Sequence, residues 1–313
     1  MDSETIEMSE TQGVSEHAQK PSVFDKYKKA GKIAADVLAY GKELIKKDAK
    51  VLDVCNKIEQ KIFSLGAKPA FPAQISMNEI AAHFCPEDKD EAKFQDQVVS
   101  LDVGVHIGGC IGDTACTVDL SGNNKELVKS SEEALKAAIE TVKVGVKLSE
   151  IGKAIEDAIT SYGFQPVRNL SGHGLDSYDI HSSPTIPNFN TKENVVLDKQ
   201  VIAIEPFATD GQGMIEERKE SSIYNIGQVK NMRDASAREL LQCILEEYHT
   251  LPFAKRWLLK KFPAVKVEFG LRMLQRDGVL HHYKQLWEKG DGLVSQAEHT
   301  VLVGEPCVVT TRV

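Results

Sequence analysis

The sequence predicts an α+β fold built on an internal duplication, with a helical segment inserted late in the chain. Three observations predict it. A helix pair with its own Gly and Pro stops recurs 97 positions further along. Each half then carries an apolar, strand-like run with one carboxylate inside it. Finally, the interval from Glu220 to about Asp291 takes mainly helical spacing.

The elements follow in order. Residues 1–22 are polar and rich in Ser, Glu and Thr, without the basic start and apolar core of a signal peptide, so a disordered tail is expected. From Phe24, apolar residues recur at three- and four-residue steps through Ile45, which predicts an amphipathic helix. A second helix is expected from Val51 to Leu65, stopped by Gly66 and Pro69. The repeat sets Ile58-Glu59 against Ile155-Glu156, Gly66 against Gly163 and Pro69 against Pro166. With small changes of offset, His83-Phe-Cys-Pro86 parallels His181-Ser-Ser-Pro184, and the strand ending at Asp102 parallels the one ending at Glu205. In the later interval, Ser236-Ala-Arg-Glu239 has the spacing of a capping box, and Pro252 and Pro263 are candidate helix starts. The expected division is a catalytic unit of residues 23–219 and 289–313, with residues 220–288 as a helical insertion subdomain.

Bulk properties exclude several function classes. A net charge of −8 argues against a broad nucleic-acid or membrane-binding surface. The basic stretch from Lys255 to Lys266 reads as a solvated helix face. No apolar run reaches the length of a membrane span. The six cysteines form no C-x-x-C pair, which disfavours a thiolate zinc site and suits a reduced, cytoplasmic protein.

The carboxylates carry the chemistry. Asp102 lies inside the β-like run Val98–His106, where Asp is depleted and burial without a partner costs several kcal/mol. Gly108-Gly109 predicts a two-residue hairpin turn. That register sets Asp102 against Ala115 and Asp113 against Gly104, so both aspartates share a face, with β-carbons about 7 Å apart or less. Two such carboxylates repel unless cations sit between them. Glu205 and Glu298 occupy similar strand-like runs, and His173 sits between glycines. Each of these three, taken alone, also fits a solvated strand or loop position. The set of four carboxylates and one imidazole suits manganese, iron, cobalt or zinc, and a metal pair accounts for the number of acids.

These strings, in this order, resemble those of the pita-bread metallopeptidases, which include methionine aminopeptidases, prolidases and aminopeptidase P. Ala70-Phe-Pro72, Asn78-Glu-Ile-Ala-Ala-His83, Leu101-Asp-Val-Gly-Val-His106, Asn169-Leu-Ser-Gly-His173, Ile204-Glu-Pro-Phe-Ala-Thr209 and Ala297-Glu-His-Thr300 look like type 2 methionine aminopeptidases, especially the compact archaeal form. The resemblance runs from about Phe24 to the C-terminus. It implies a pita-bread fold with pseudo-two-fold symmetry and removal of the initiator methionine from nascent proteins with a small second residue. It also implies two divalent metal ions per chain. Asp102 would hold one metal, Asp113 and Glu298 would bridge, and His173 and Glu205 would hold the second. Glu205 would also move the proton of the attacking water, and His83 and His181 would contact the scissile peptide. His106 and His299 are read as structural. The expected partner is the N-terminus of a nascent polypeptide, with a transient ribosome contact left open, no specific nucleic acid, no membrane and a monomeric chain. Gly108, Gly112 and Ser182-Ser183-Pro184 depart from the family pattern and put the shape of the substrate pocket in question. The rivals are a prolidase or aminopeptidase P, and a metal-free relative that binds RNA or ribosomes.

Overall fold

The computed structural model describes residues 22–312; the expected tail at 1–22 lies outside these residues except for Ser22. The first half runs α1 (Val23–Leu44), α2 (Val51–Ser64), β1 (Lys68–Pro69), β2 (Gln74–Met77), β3 (Ile80–Ala82), β4 (Val98–Ile107) and β5 (Cys110–Asp119). The second runs α3 (Lys125–Thr141), α4 (Leu148–Ser161), β6 (Gln165–Pro166), β7 (Ser171–Asp176), β8 (Asp179–Pro187), β9 (Val201–Ile204) and β10 (Phe207–Thr209). Then follow β11 (Ile215–Ile226), α5 (Ala235–Glu247), β12 (Phe253–Ala254), α6 (Lys255–Leu259), α7 (Ala264–Arg276) and β13 (Leu280–Glu288). The chain closes with β14 (Val294–Gln296), β15 (Glu298–Leu302) and β16 (Val308–Val309).

The duplication is physical. Helix α4 repeats α2, and β6 repeats β1, each 97 positions on. Both second helices begin at a lysine, Lys50 or Lys147, held by an isolated antiparallel bridge to a distant segment. Both end at a glycine with positive φ, +75° at Gly66 and +83° at Gly163, a conformation that β-carbons resist. The matched glutamates act as anchors in both halves. Glu156 accepts from Arg168 Nη2 at 2.8 Å and from the Asn190 amide at 3.1 Å. Buried Glu59 accepts from both terminal nitrogens of Arg256 and from Trp257 Nε1.

The main sheet has the strand order β1-β4-β5-β15-β9-β7-β8, with β2 also on β4 and β16 on β15. The two halves meet at the β5–β15 junction. Backbone pairing there covers only Glu298 with Ala115 and His299 with Thr114. Threonine hydroxyls extend the contact. Thr300 Oγ1 accepts from the Asp113 amide and donates to its carbonyl, at 2.7 and 2.8 Å. Thr117 Oγ1 does the same for Gln296, accepting from its amide at 2.9 Å and donating to its carbonyl at 2.7 Å. One apolar core lies under each half, around Ile58 and Leu101 in the first and around Ile155 and Ile204 in the second. Helix α1 lies so close to β5 that a β-carbon at Gly112 would sit 2.5 Å from the Gly31 Cα.

The late interval differs from its expectation. Helices α5, α6 and α7 are present, but strands β11 and β13 frame them in a four-stranded sheet with β12 and β3. Register shifts within the β11–β13 pairing and the irregular burial of β13 obscured their period-two pattern. The cap of α5 is Asp234, whose side chain accepts from the Ala237 amide at 2.8 Å, so Ser236 already lies inside the helix. Pro252 precedes β12 rather than a helix, while Pro263 is the N-cap of α7. The basic stretch is not a free charged face either. Arg256 is buried on Glu59, and Lys255, Lys261 and Lys266 pair with Glu268, Glu247 and Glu239. Removing one partner of a buried ion pair leaves a charge uncompensated. Glu59→Gln is therefore expected to lower unfolding free energy by about 3–5 kcal/mol in urea titrations, and a loss under about 1 kcal/mol would show that Arg256 finds other compensation.

Candidate metal centre

Five neighbouring strands deliver the five expected ligands. Asp102 lies on β4, Asp113 on β5, Glu298 at the start of β15, Glu205 one residue past β9, and His173 on β7. The hairpin has the expected register, with Asp102 opposite Ala115, Gly104 opposite Asp113, and Gly108 and Gly109 at φ +56° and +88° in the turn. Ala115 also faces Glu298, and His173 faces Ala203, which faces Thr300. Directly opposed residues share a sheet face, so all five side chains project from one side. Gly104 keeps that side open, since a β-carbon there would lie 2.1 Å from the Phe71 ring.

Asp113 and Glu298 are buried, and Asp102, His173 and Glu205 are partly so. Asp113, His173 and Glu298 each place a ligand atom within 4.8 Å of the other two. His173 Nε2 lies 3.4 Å from Glu205 Oε1 and 4.0 Å from Asp113 Oδ2. Its Nδ1 is 3.2 Å from the Gly174 carbonyl oxygen, which only accepts, so Nδ1 carries the proton and Nε2 offers a lone pair. Burial lowers the His173 pKa to about 3, which keeps the ring neutral.

The carboxylates shift the other way. Burial pushes Asp102 up to about 7, with Gln296 opposing. Burial, then neighbouring carboxylates, raises Asp113, Glu205 and Glu298 well above the usual range. Asp102 Oδ1, Asp113 Oδ1 and Glu298 Oε2 are buried without any hydrogen-bond partner among the described residues. A cation bound between them would answer the orphaned acceptors, the bare imidazole lone pair and the mutual repulsion together. The donor set, oxygens with one nitrogen, suits a divalent first-row metal.

A cavity of about 330 Å³ opens onto this face. His83 and His181 line it, as do Phe71, Ile180, Phe207, Ile223 and Leu286. The two histidines are held differently despite their matched places in the sequence. His83 follows β3 at φ +65°, and its amide donates to Gln74 Oε1 at 2.6 Å. His181 stands within β8, its ring edge-on to His173 at 4.8 Å. His106 and His299 make other contacts, with the Gly109 amide and the Thr311 hydroxyl. Of the departures from the family pattern, Ser182 lines the cavity, whereas Gly108 and Gly112 serve the turn and the α1 contact.

Sequence reasoning missed Gln296, whose Nε2 lies 3.4 Å from Glu205 Oε2. Its position two residues before Glu298 on one strand-like run was the available signal. It also missed Tyr283 and the Lys284 carbonyl, which approach His83 from β13. Nothing in the sequence links residues 201 positions apart.

The fold and this cluster define a divalent-metal site set in a substrate-sized cavity. The chain belongs to metallopeptidase family M24, whose profile matches residues 25–305. It is 50% identical to a methionine aminopeptidase of Archaeoglobus fulgidus, over 93% of this chain and 99% of that one. It is 42% identical to a methionine aminopeptidase of Methanocaldococcus jannaschii, over 92% of this chain and 98% of the relative. Among solved structures, a Thermotoga maritima methionine aminopeptidase superposes with a TM-score of 0.68 at 24% identity, covering 94% of this chain and 98% of that one. At that identity the likeness speaks for the fold.

The raised carboxylates have a stability consequence. Groups that hold protons more tightly when folded stabilise at low pH, and that contribution is lost as pH rises through the folded pKa. Metal-free protein should therefore lose melting temperature between about pH 4 and pH 7, the interval bounded by the unfolded and folded values of Asp102. Manganese or cobalt should restore it, with a larger gain at higher pH. Asp113→Asn should flatten the pH trend and abolish most of the metal response. A metal-free melting temperature that rises from pH 5 to pH 7 would contradict the buried-acid account.

Proposed function

We propose that this chain removes the N-terminal methionine of nascent polypeptides in the cytoplasm, acting as a monomer. The observation that carries the reading is the five-strand convergence of acids and imidazole beneath a cavity with apolar side chains along part of its wall, in a chain whose curated relatives bear the methionine aminopeptidase name. Asp102, Asp113 and Glu298 would hold one of two divalent ions, and Asp113, Glu298, His173 and Glu205 the other. When bound, such ions polarise a carbonyl and make water acidic enough to attack it near neutral pH. Cobalt, manganese, iron and zinc all suit the donors.

The residues supply the remaining steps. Phe71, Ile180, Phe207 and Leu286 offer apolar surface for a thioether side chain. Glu205, a partly buried carboxylate at the edge of the cavity, takes the proton of the attacking water and passes it to the leaving amine. His83 has a fixed tautomer. Its Nδ1 donates to the Lys284 carbonyl at 3.0 Å, and burial lowers its pKa to about 4, so Nε2 is an acceptor. It therefore receives the N–H of the scissile peptide and orients the amide. His181, exposed at the cavity, is free to donate to the oxygen on which charge develops. Because Lys284 belongs to β13, the inserted segment, taken as residues 220–288, helps build the site.

Chelation should abolish release of methionine from Met-Gly-X peptides, and one of the four metals should restore it. Glu205→Gln is expected to lower kcat by about 10²–10⁴-fold and to weaken binding of the ion that Glu205 would help to hold. X-Pro peptides should be poor substrates. Equal turnover of X-Pro and Met-Gly peptides would favour a prolidase-type activity instead. Protein that is active only on methionine peptides with a bulky second residue would sink the expected small-residue preference.

A further inference from the structure

A second cavity, of about 220 Å³, lies away from the metal centre and shares none of its lining residues. It separates the α2–β1 corner of the first half from the inserted helices. Phe63, Tyr248 and Trp257 form its aromatic walls, and His106 and Lys68 meet at its floor. Three features prepare it for a ligand. First, its aromatic walls are fixed yet open. Trp257 is pinned by its Nε1 hydrogen bond to Glu59 at 2.9 Å, while Phe63 is 58% exposed. A concave, largely apolar surface with a few convergent polar groups is the form that small-molecule sites take.

Second, Lys68 and His106 are direct cross-strand partners in the β1–β4 pair, so their side chains stand together on one face. His106 is buried, and its Nδ1 accepts from the Gly109 amide at 3.2 Å. Its proton therefore sits on Nε2, which donates to no protein group among the described residues. Third, the acids around the cavity are already paired, while two of its three lysines are not. Glu59 is held by Arg256 and Glu247 by Lys261, whereas Lys68 and Lys260 pair with no carboxylate among the described residues.

We propose that this cavity is a second ligand site, for a small carboxylate with a flat apolar body. The body lies against Phe63, Tyr248 and Trp257. The carboxylate accepts from His106 Nε2 and faces the Lys68 ammonium, with Lys260 at the rim. A hydrogen bond from a neutral donor to a buried charged acceptor carries most of the selectivity, because exposed lysines contribute little. The volume is below the roughly 300–1,000 Å³ of pockets for drug-sized molecules, so the ligand is small. The site is independent of the catalytic reading.

The test is a titration of the full, metal-free chain with phenylacetate and with its neutral analogue phenylacetamide, by calorimetry and by nitrogen-15 spectra. The chain has two tryptophans, so two indole N–H signals report, assigned with Trp287→Phe. Phenylacetate should bind saturably and shift the Trp257 signal alone, with phenylacetamide at least about tenfold weaker. Lys68→Gln should weaken phenylacetate by about two- to fivefold, Phe63→Ala should weaken it further, and Asp113→Asn should leave it unchanged. Equal affinity for the amide, no saturable binding up to about 10 mM, or binding lost in Asp113→Asn but kept in Lys68→Gln would each overturn the proposal. The last result would place the carboxylate in the catalytic cavity.

Discussion

Repulsion among four carboxylates confined to one sheet face is the constraint on which the structure turns. Two unit charges 4 Å apart repel by about 4 kcal/mol at the effective dielectric of a protein surface, and more where water is excluded. Asp113 and Glu298 are among the most deeply buried acids of the molecule, and both point at Asp102 and Glu205. Such a cluster has two stable states. Either protons neutralise it, as the upward pKa shifts describe, or cations do. The fold keeps the second state available by preventing the side chains from turning away.

The means are distributed over both halves. Each half contributes two of the four carboxylates, counting β15 with the second, and the junction between them is reinforced by threonine hydroxyls on either side of the Ala115–Glu298 pair. Replacing ladder bonds with side-chain bonds lets β5 and β15 diverge while keeping their polar backbone groups satisfied. Gly104 removes a β-carbon where Phe71 must lie, so the aromatic wall of the cavity can approach the acids. Strand β13 closes the other side through the Lys284 carbonyl and Tyr283. The segment between β11 and β13 is tied to the first half by the pairing of β13 with β3 and by the Glu59–Arg256 pair, whose glutamate matches that of the Glu156–Arg168 anchor in the second half.

Much of this was legible in the sequence because it depends on local geometry. A two-residue turn fixes the whole hairpin register, so Asp102 and Asp113 could be placed on one face from the position of Gly108-Gly109 alone. Helix stops written as Gly66 and Gly163 survive duplication because no other residue fills them without strain. What was not legible depends on distance in the chain. The end of β11 from Glu220 on, and β13, looked helical because register shifts beside Glu220 and the irregular burial along β13 break the period-two alternation. The α5 cap was misplaced because Asp234 and Ser236 are both good caps and only the backbone decides. Arg256 read as one cation in a basic run, although its partner lies 197 positions away.

The most direct test of the central claim is a crystal structure of manganese-soaked protein with anomalous diffraction measured at a wavelength that identifies the ion. The account predicts two anomalous peaks on the shared sheet face, one touching Asp102 and one touching His173, with Asp113 and Glu298 between them. A single peak remote from these residues, or none at saturating manganese, would mean that the buried carboxylates are kept apart by protons alone.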